Sequence, residues 1–195
     1  MNSLLQQLYM NDMFNEGIME AETSAQDNNL LYQLQVLFGA LNEKSVGSLN
    51  AKGLCKCIKD FDGKCISIKE QRDVDEFFNL FLDRLEPYLV NTKGSDLIKR
   101  TFGGSFANEV ICLECPHRSE NVEAFLSLNL QISGKKSIKE SLKAFVTEEY
   151  LMGQDLYYCE RCDKKMKAKR RTTFKTLPNY FAIFLKRFYF QYTTG

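Results

Sequence analysis

Cys112-Leu-Glu-Cys115 and Cys159-Glu-Arg-Cys162 carry the strongest local chemistry in the sequence. Two thiolates two residues apart can grip one side of a zinc ion, and a second such pair completes a tetrahedron of sulfur. The 43 residues between Cys115 and Cys159 are too many for a compact zinc finger, so the tertiary fold must bring the pairs together. A redox Cys-x-x-Cys or four buried thiols is the competing reading. Two pairs in one short chain favour a single structural Zn(2+) held by Cys112, Cys115, Cys159 and Cys162. His117, the single histidine, follows Cys115 closely, but with four cysteines at hand it reads as a loop side chain. The other three cysteines, Cys55, Cys57 and Cys65, are scattered, and no candidate base lies near them in sequence.

A second motif is acidic. Gln71-Arg72-Asp73-Val74-Asp75-Glu76-Phe77 opens a strongly amphipathic run. Carboxylates in a first turn are favoured by the helix dipole, so stabilisation of the helix start is one reading. Asp73 and Glu76 are three residues apart and project together. They can therefore also clasp a basic peptide through charge-assisted hydrogen bonds.

The elements that must position these groups fall into two regimes. Leu4 and Leu5 are core positions at the start of the chain. Leu30, Leu31, Leu34, Leu37, Phe38 and Leu41 share one helical stripe, and Leu54, Ile58 and Phe61 suggest a shorter helix from about Asn50. Val74, Phe77, Phe78, Phe81, Leu82 and Leu85 predict the clearest helix, with Pro87 as its end. Residues 91–96 read as a loop. From about Thr101 the period becomes two. Val122, Ala124, Leu126, Leu128 and Leu130 predict one strand with one buried face. Residues 138–146 predict a short helix and residues 166–177 an exposed strand rich in Lys, Arg and Thr. Residues 180–190 are nearly all apolar and predict a buried central strand. The fold class is α+β.

Bulk composition agrees. The chain has 195 residues and is 44% hydrophobic, enough for a real core. With 26 basic and 25 acidic side chains the formal charge is +1, unlike the strongly basic balance usual for a nucleic-acid binder. Fifteen Phe and nine Tyr against three Pro indicate a folded domain. No apolar run has the length of a membrane span, and the first residues lack a secretory leader. The expected setting is therefore a reducing compartment, cytoplasmic or nuclear, with no membrane partner.

Taken in order, the motifs resemble the ubiquitin-specific protease family, the papain-like deubiquitinases. The resemblance covers essentially the whole chain. It rests on Met1-Asn2-Ser3-Leu4-Leu5-Gln6-Gln7-Leu8, the box from Gln71, the two Cys-x-x-Cys pairs, Leu177-Pro178, and Phe184-Leu185-Lys186-Arg187-Phe188. It implies a papain-like cysteine protease fold. Residues 1–100 would form a helical thumb, and residues 101–178 zinc-ribbon β fingers with part of the palm. Residues 179–195 would be a truncated palm strand. Asp73 and Glu76 match the acidic positions that engage the basic C-terminal tail of ubiquitin, and ubiquitin or ubiquitinated proteins are the implied partners. Arg72 departs from the more usual Gln of the family.

The resemblance also implies a mechanism, thiolate attack on the carbonyl of the ubiquitin C-terminal glycine. The family's first motif, Asn-x-Cys-Tyr-x-Asn-Ser, is matched here only by its tail, Asn2-Ser3. The nucleophile would lie two residues before Met1, and the catalytic His beyond the Leu-Lys-Arg-Phe strand. No catalytic residue is therefore assigned, and these 195 residues are expected to be inactive by themselves, as a truncated catalytic domain. A natural non-catalytic ubiquitin-binding module is the alternative. A zinc-ribbon nucleic-acid binder, drawing on Lys164, Lys165, Lys167, Lys169, Arg170 and Arg171, is a weaker one.

Overall fold

The computed structural model describes residues 2–24, 29–43, 49–60, 62–66 and 72–187. The expectations placed on Phe61, Gln71 and residues 188–190 lie outside them. The chain divides into two compact units, Met1–Thr101 and Phe102–Gly195.

The first unit is helical. Its elements are α1 (Asn2–Tyr9), α2 (Asp12–Glu20), α3 (Leu30–Asn42), α4 (Lys52–Cys57), α5 (Val74–Leu89) and α6 (Leu97–Phe102). Side chains start them by accepting orphan N–H groups: Asn11 from Phe14 for α2 and Asn29 from Tyr32 for α3. Leu4 and Leu5 are buried as expected, beside a core of Phe14, Ile18, Leu34, Phe38, Phe81 and Leu85. The α3 stripe narrows at its end, where Leu41 is exposed.

Two helix boundaries depart from expectation. Pro87 lies inside α5, not at its end. Proline removes one ladder hydrogen bond, yet Leu85 and Leu89, on either side of it, are both almost fully buried. Their burial carries the helix two residues further. Ile58, expected in a helix, instead starts a hairpin just after α4. The Ile66 N–H donates to the Ile58 carbonyl at 3.1 Å and the Asp60 N–H to the Lys64 carbonyl at 2.8 Å. Lys59 bridges to Cys65. The turn signal Asp62-Gly63 wins here because Gly63 takes φ of 73°, which a glycine adopts without strain.

The second unit carries a four-stranded antiparallel sheet in the order β2-β1-β7-β4. These strands are β1 (Gly104–Cys112), β2 (Arg118–Phe125), β4 (Glu149–Leu151) and β7 (Ala168–Thr176). A parallel pair joins β3 (Ser127–Gln131) to β8 (Ala182–Lys186), and a short hairpin joins β5 (Tyr157–Cys159) to β6 (Lys164–Met166). Helix α7 (Ile138–Phe145) starts at Ser137, whose hydroxyl accepts from the Glu140 N–H. Phe106, Phe125, Phe145, Phe174 and Phe181 form a chain of ring contacts 5.7–6.1 Å between centroids. Gly104 is required beside it, since a Cβ there would stand 2.4 Å from the Phe125 ring.

The single strand expected over residues 122–130 is two strands, broken at Leu126. Val122 is 56% exposed, whereas Phe125, Leu128 and Leu130 are buried. An irregularity in a strand exchanges its two faces, so the apparent alternation spans two different surfaces. The exposed strand expected over residues 166–177 is also divided, with β6 ending at Met166 and β7 starting at Ala168. The strand expected to be buried and central is half-buried. Among the described residues β8 pairs only with β3. An apolar run signals a central strand only where neighbours cover both edges and both faces.

Candidate functional site

Cys112 closes β1, and the turn after it brings Cys115 back beneath it. The Cys112 N–H donates to the His117 carbonyl at 3.0 Å and fixes this turn. Cys159 closes β5, and Cys162 lies in the turn before β6. Asp163, the next residue, takes the left-handed conformation (φ 52°) that this tight reversal demands. Its carboxylate accepts a hydrogen bond from the Tyr158 hydroxyl across the turn.

The two turns meet because of strand register. Lys167 lies between β6, in the hairpin of the second pair, and β7, which pairs with β1. Its carbonyl accepts from the Leu113 N–H, inside the first pair, at 3.0 Å. Ala168 sits opposite Cys112 in the β1–β7 register. As a result all four sulfurs lie within 4.8 Å of one another, with Cys112 and Cys159 buried. Cys115 and Cys159 Sγ are 3.6 Å apart. A tetrahedron with metal–sulfur bonds of about 2.3 Å has sulfur–sulfur edges of about 3.8 Å, so the cluster has the size of a four-thiolate site.

The electrostatics point the same way. Burial pushes the Cys159 thiol up, but the backbone N–H groups of Cys162 and Arg161 and the neighbouring thiols bring it down to about 7. Contact with Cys115, together with burial and Cys159, pushes Cys162 up to about 12. Four thiols this close cannot all ionise without a cation among them. Soft sulfur donors in a tetrahedral array suit zinc or an iron–sulfur centre. His117 is outside the set. Its ring stacks on Tyr157 with centroids 6.5 Å apart.

The acidic box sits in the first unit. Asp73 is the N-cap of α5, and its Oδ1 accepts from the N–H groups of Asp75 (2.8 Å) and Glu76 (3.3 Å). Both Asp73 and Glu76 are exposed. The capping reading is thus correct for one oxygen of Asp73. Its Oδ2 makes no hydrogen bond among the described residues, so capping and peptide binding are compatible.

Two features escaped sequence reasoning. Glu109, 1% exposed on the central strand β1, receives the Arg171 Nε–H at 2.7 Å and an Arg118 N–H, with Lys175 Nζ 3.6 Å away. The hydrogen bond from Arg171 is the main cause holding its carboxyl below the usual range; burial opposes it, and Arg118 adds to the lowering. The signal was a lone carboxylate in the phase of Ala107 within a strand pattern. The second feature is an ion pair between Arg72 and Asp60, 2.5 Å long. The basic run along β7 also proves to be paired. Lys169 and Arg171 reach Glu148, and Arg170 reaches Glu149.

The ubiquitin carboxyl-terminal hydrolase family matches residues 1–194. Ubiquitin carboxyl-terminal hydrolase 24 of Homo sapiens is 36% identical over 197 aligned residues, covering 100% of this chain and 8% of that protein. Ubiquitin carboxyl-terminal hydrolase 9Y of Homo sapiens is 36% identical over 159 residues, covering 82% of this chain and 6% of that protein. Ubiquitin carboxyl-terminal hydrolase 34 of Homo sapiens is 32% identical over 197 residues, covering 98% of this chain and 5% of that protein. The chain therefore spans less than a tenth of the length of these relatives. With a mixed helix-and-sheet architecture and a match along nearly all its length, the chain belongs to the ubiquitin carboxyl-terminal hydrolase family, among the ubiquitin-specific proteases.

Proposed function

We propose that this chain is the ubiquitin-holding part of a thiol-dependent deubiquitinase that cleaves after the C-terminal glycine of ubiquitin. The observation that carries the reading is two exposed carboxylates at the start of α5, Asp73 as its N-cap and Glu76 in its first turn, in a chain of this family. The helical unit corresponds to the thumb. The sheet unit corresponds to the fingers and part of the palm, with a structural zinc at Cys112, Cys115, Cys159 and Cys162. The four thiols fit zinc by number, spacing and softness. When bound, the ion supplies cross-linking between the two turns and no chemistry on substrate. The gathering of four cysteines into one metal-sized cluster fits a reducing compartment, cytoplasmic or nuclear. Pairing of Lys169, Arg170 and Arg171 with carboxylates argues against a nucleic-acid partner. Among the described residues no helix is long and apolar enough to cross a membrane.

The test is binding of ubiquitin by the Asp73→Asn, Glu76→Gln variant. Asparagine caps a helix as well as aspartate does, so charge is removed while the fold stays. Affinity falls by about tenfold, as loss of charge-assisted contacts to a basic tail requires. An unchanged affinity would return both residues to a purely helix-stabilising role.

No residue among these 195 is assigned as nucleophile or base. Four of the cysteines belong to the cluster, and Cys57 and Cys65 donate to the backbone carbonyls of Gly53 and Lys56. The 195-residue chain alone is expected not to hydrolyse a fluorogenic ubiquitin C-terminal reporter. Thiol-dependent turnover by the pure chain would contradict this.

A further inference from the structure

We infer that Asp60 is a positioning residue for the acidic clasp: it holds Arg72 and cancels its charge, keeping the start of α5 attractive to a basic peptide. The inference rests on the tail-binding reading of Asp73 and Glu76. Arg72 immediately precedes the N-cap, where an unneutralised guanidinium would repel a cationic tail. Its Nη2 donates instead to Asp60 Oδ2 at 2.5 Å, and both side chains are about three-quarters shielded from water (23% and 24% exposed). Shielding strengthens an ion pair relative to one fully in solvent.

Asp60 is itself held by a rigid frame. It opens the hairpin turn, with its N–H donating to the Lys64 carbonyl and its carbonyl accepting from the Gly63 N–H at 2.9 Å. The hairpin is anchored by Ile58 and Ile66, both buried. Arg84 Nε, on α5, donates to the Lys59 carbonyl at 3.0 Å. The helix that carries the clasp is thus bonded to the hairpin that carries Asp60. A mobile carboxylate would leave Arg72 free to swing toward the tail; this one is fixed to the same helix.

The experiment measures affinity of the 195-residue chain for ubiquitin, and for ubiquitin without its C-terminal tail, at low and high salt. Asp60→Asn is expected to weaken intact ubiquitin about three- to fivefold at low salt. The loss should shrink as salt screens it, and tailless ubiquitin should bind as before. Adding Arg72→Gln to Asp60→Asn should restore affinity to within about twofold, because the unmasked charge is then gone. Failure of that rescue would make Asp60 a merely structural residue and overturn the inference. An unchanged affinity for Asp60→Asn, with Asp73→Asn, Glu76→Gln weakened, would overturn it while leaving the clasp intact. An unchanged affinity for Asp73→Asn, Glu76→Gln would overturn both. Thermal melts check that each variant folds. Should Asp60→Asn not fold, the exchange Asp60→Arg with Arg72→Asp carries the test. It keeps the pair and is expected to bind at least as tightly as the parent, and weaker binding overturns the inference.

Discussion

Stripping the metal with a strong chelator lowers the thermal unfolding midpoint of this chain by more than about 10 °C and abolishes the tyrosine near-ultraviolet dichroism of the second unit. Structural zinc contributes about 10–16 kcal/mol in small zinc-binding peptides. Here the wider sheet supplies part of the stability, so the loss is smaller but still large. The hairpin β5–β6 has three residues in each strand, and an isolated pair of that length is not stable in water. A metal held by Cys159 and Cys162 together with Cys112 and Cys115 would pin this hairpin where the β1–β7 register and the Lys167 carbonyl already place it. Tyr157, stacked on His117, and Tyr158, bonded to Asp163, report the site directly. Cys159→Ser has the same effect as the chelator, and the parent chain carries about one zinc per molecule, as one tetrahedral four-thiolate site requires. A melt indifferent to chelation, or less than half an equivalent of metal, would remove the metal from the structure.

Replacement of Glu109 by Gln destabilises the second unit by about 2 kcal/mol at neutral pH. Its carboxylate is buried, while the Arg118, Arg171 and Lys175 side chains around it are 44%, 34% and 35% exposed. Those cations rehydrate in part when their partner is lost, which keeps the cost below that of a fully buried pair. The pH dependence follows from the lowered folded-state pKa. A carboxyl that binds its proton less readily folded than unfolded adds stability above the unfolded value of about 4.3. That stability fades as pH falls through the folded value. The parent chain therefore loses stability with acid below about pH 4 more steeply than Glu109→Gln. Urea unfolding from pH 3 to 7 measures the difference, and parallel curves for the two proteins would refute the assignment.

Much of the local structure was legible in the residues. The period of Phe77, Phe78, Phe81 and Leu85 marks α5 because one face of that helix is buried along its length. The helix expected over residues 138–146 is α7, and Ser137 caps its start by accepting the Glu140 N–H, a contact within four residues. Errors arose where a local signal competed with packing. Burial of Leu85 and Leu89 outweighed the helix-breaking tendency of Pro87. Gly63 closed a hairpin through Ile58 where an apolar period suggested a helix. The bend at Leu126 was invisible because Leu128 and Leu130 continued the spacing of Val122 and Ala124 by number alone, on a different surface.

The site divides along the same line. Each Cys-x-x-Cys pair has the spacing to chelate by sequence alone, since a turn of four residues suffices to aim two sulfurs together. Likewise Asp73 stays beside Glu76 over a short range, although as the N-cap rather than as a helical residue: its side chain accepts from the Glu76 N–H three positions on. By itself the sequence determined these short-range units and, through their order, the family. The tertiary structure alone decided that the two cysteine pairs share one centre, through the β1–β7 register and the Lys167 carbonyl. It alone decided that Arg171 and Arg118 close on Glu109, and that Asp60 rather than solvent faces Arg72. The physical reason is range. Turn and helix geometry act over a few residues, whereas these partners lie 9 to 62 residues apart and meet only when the core is packed.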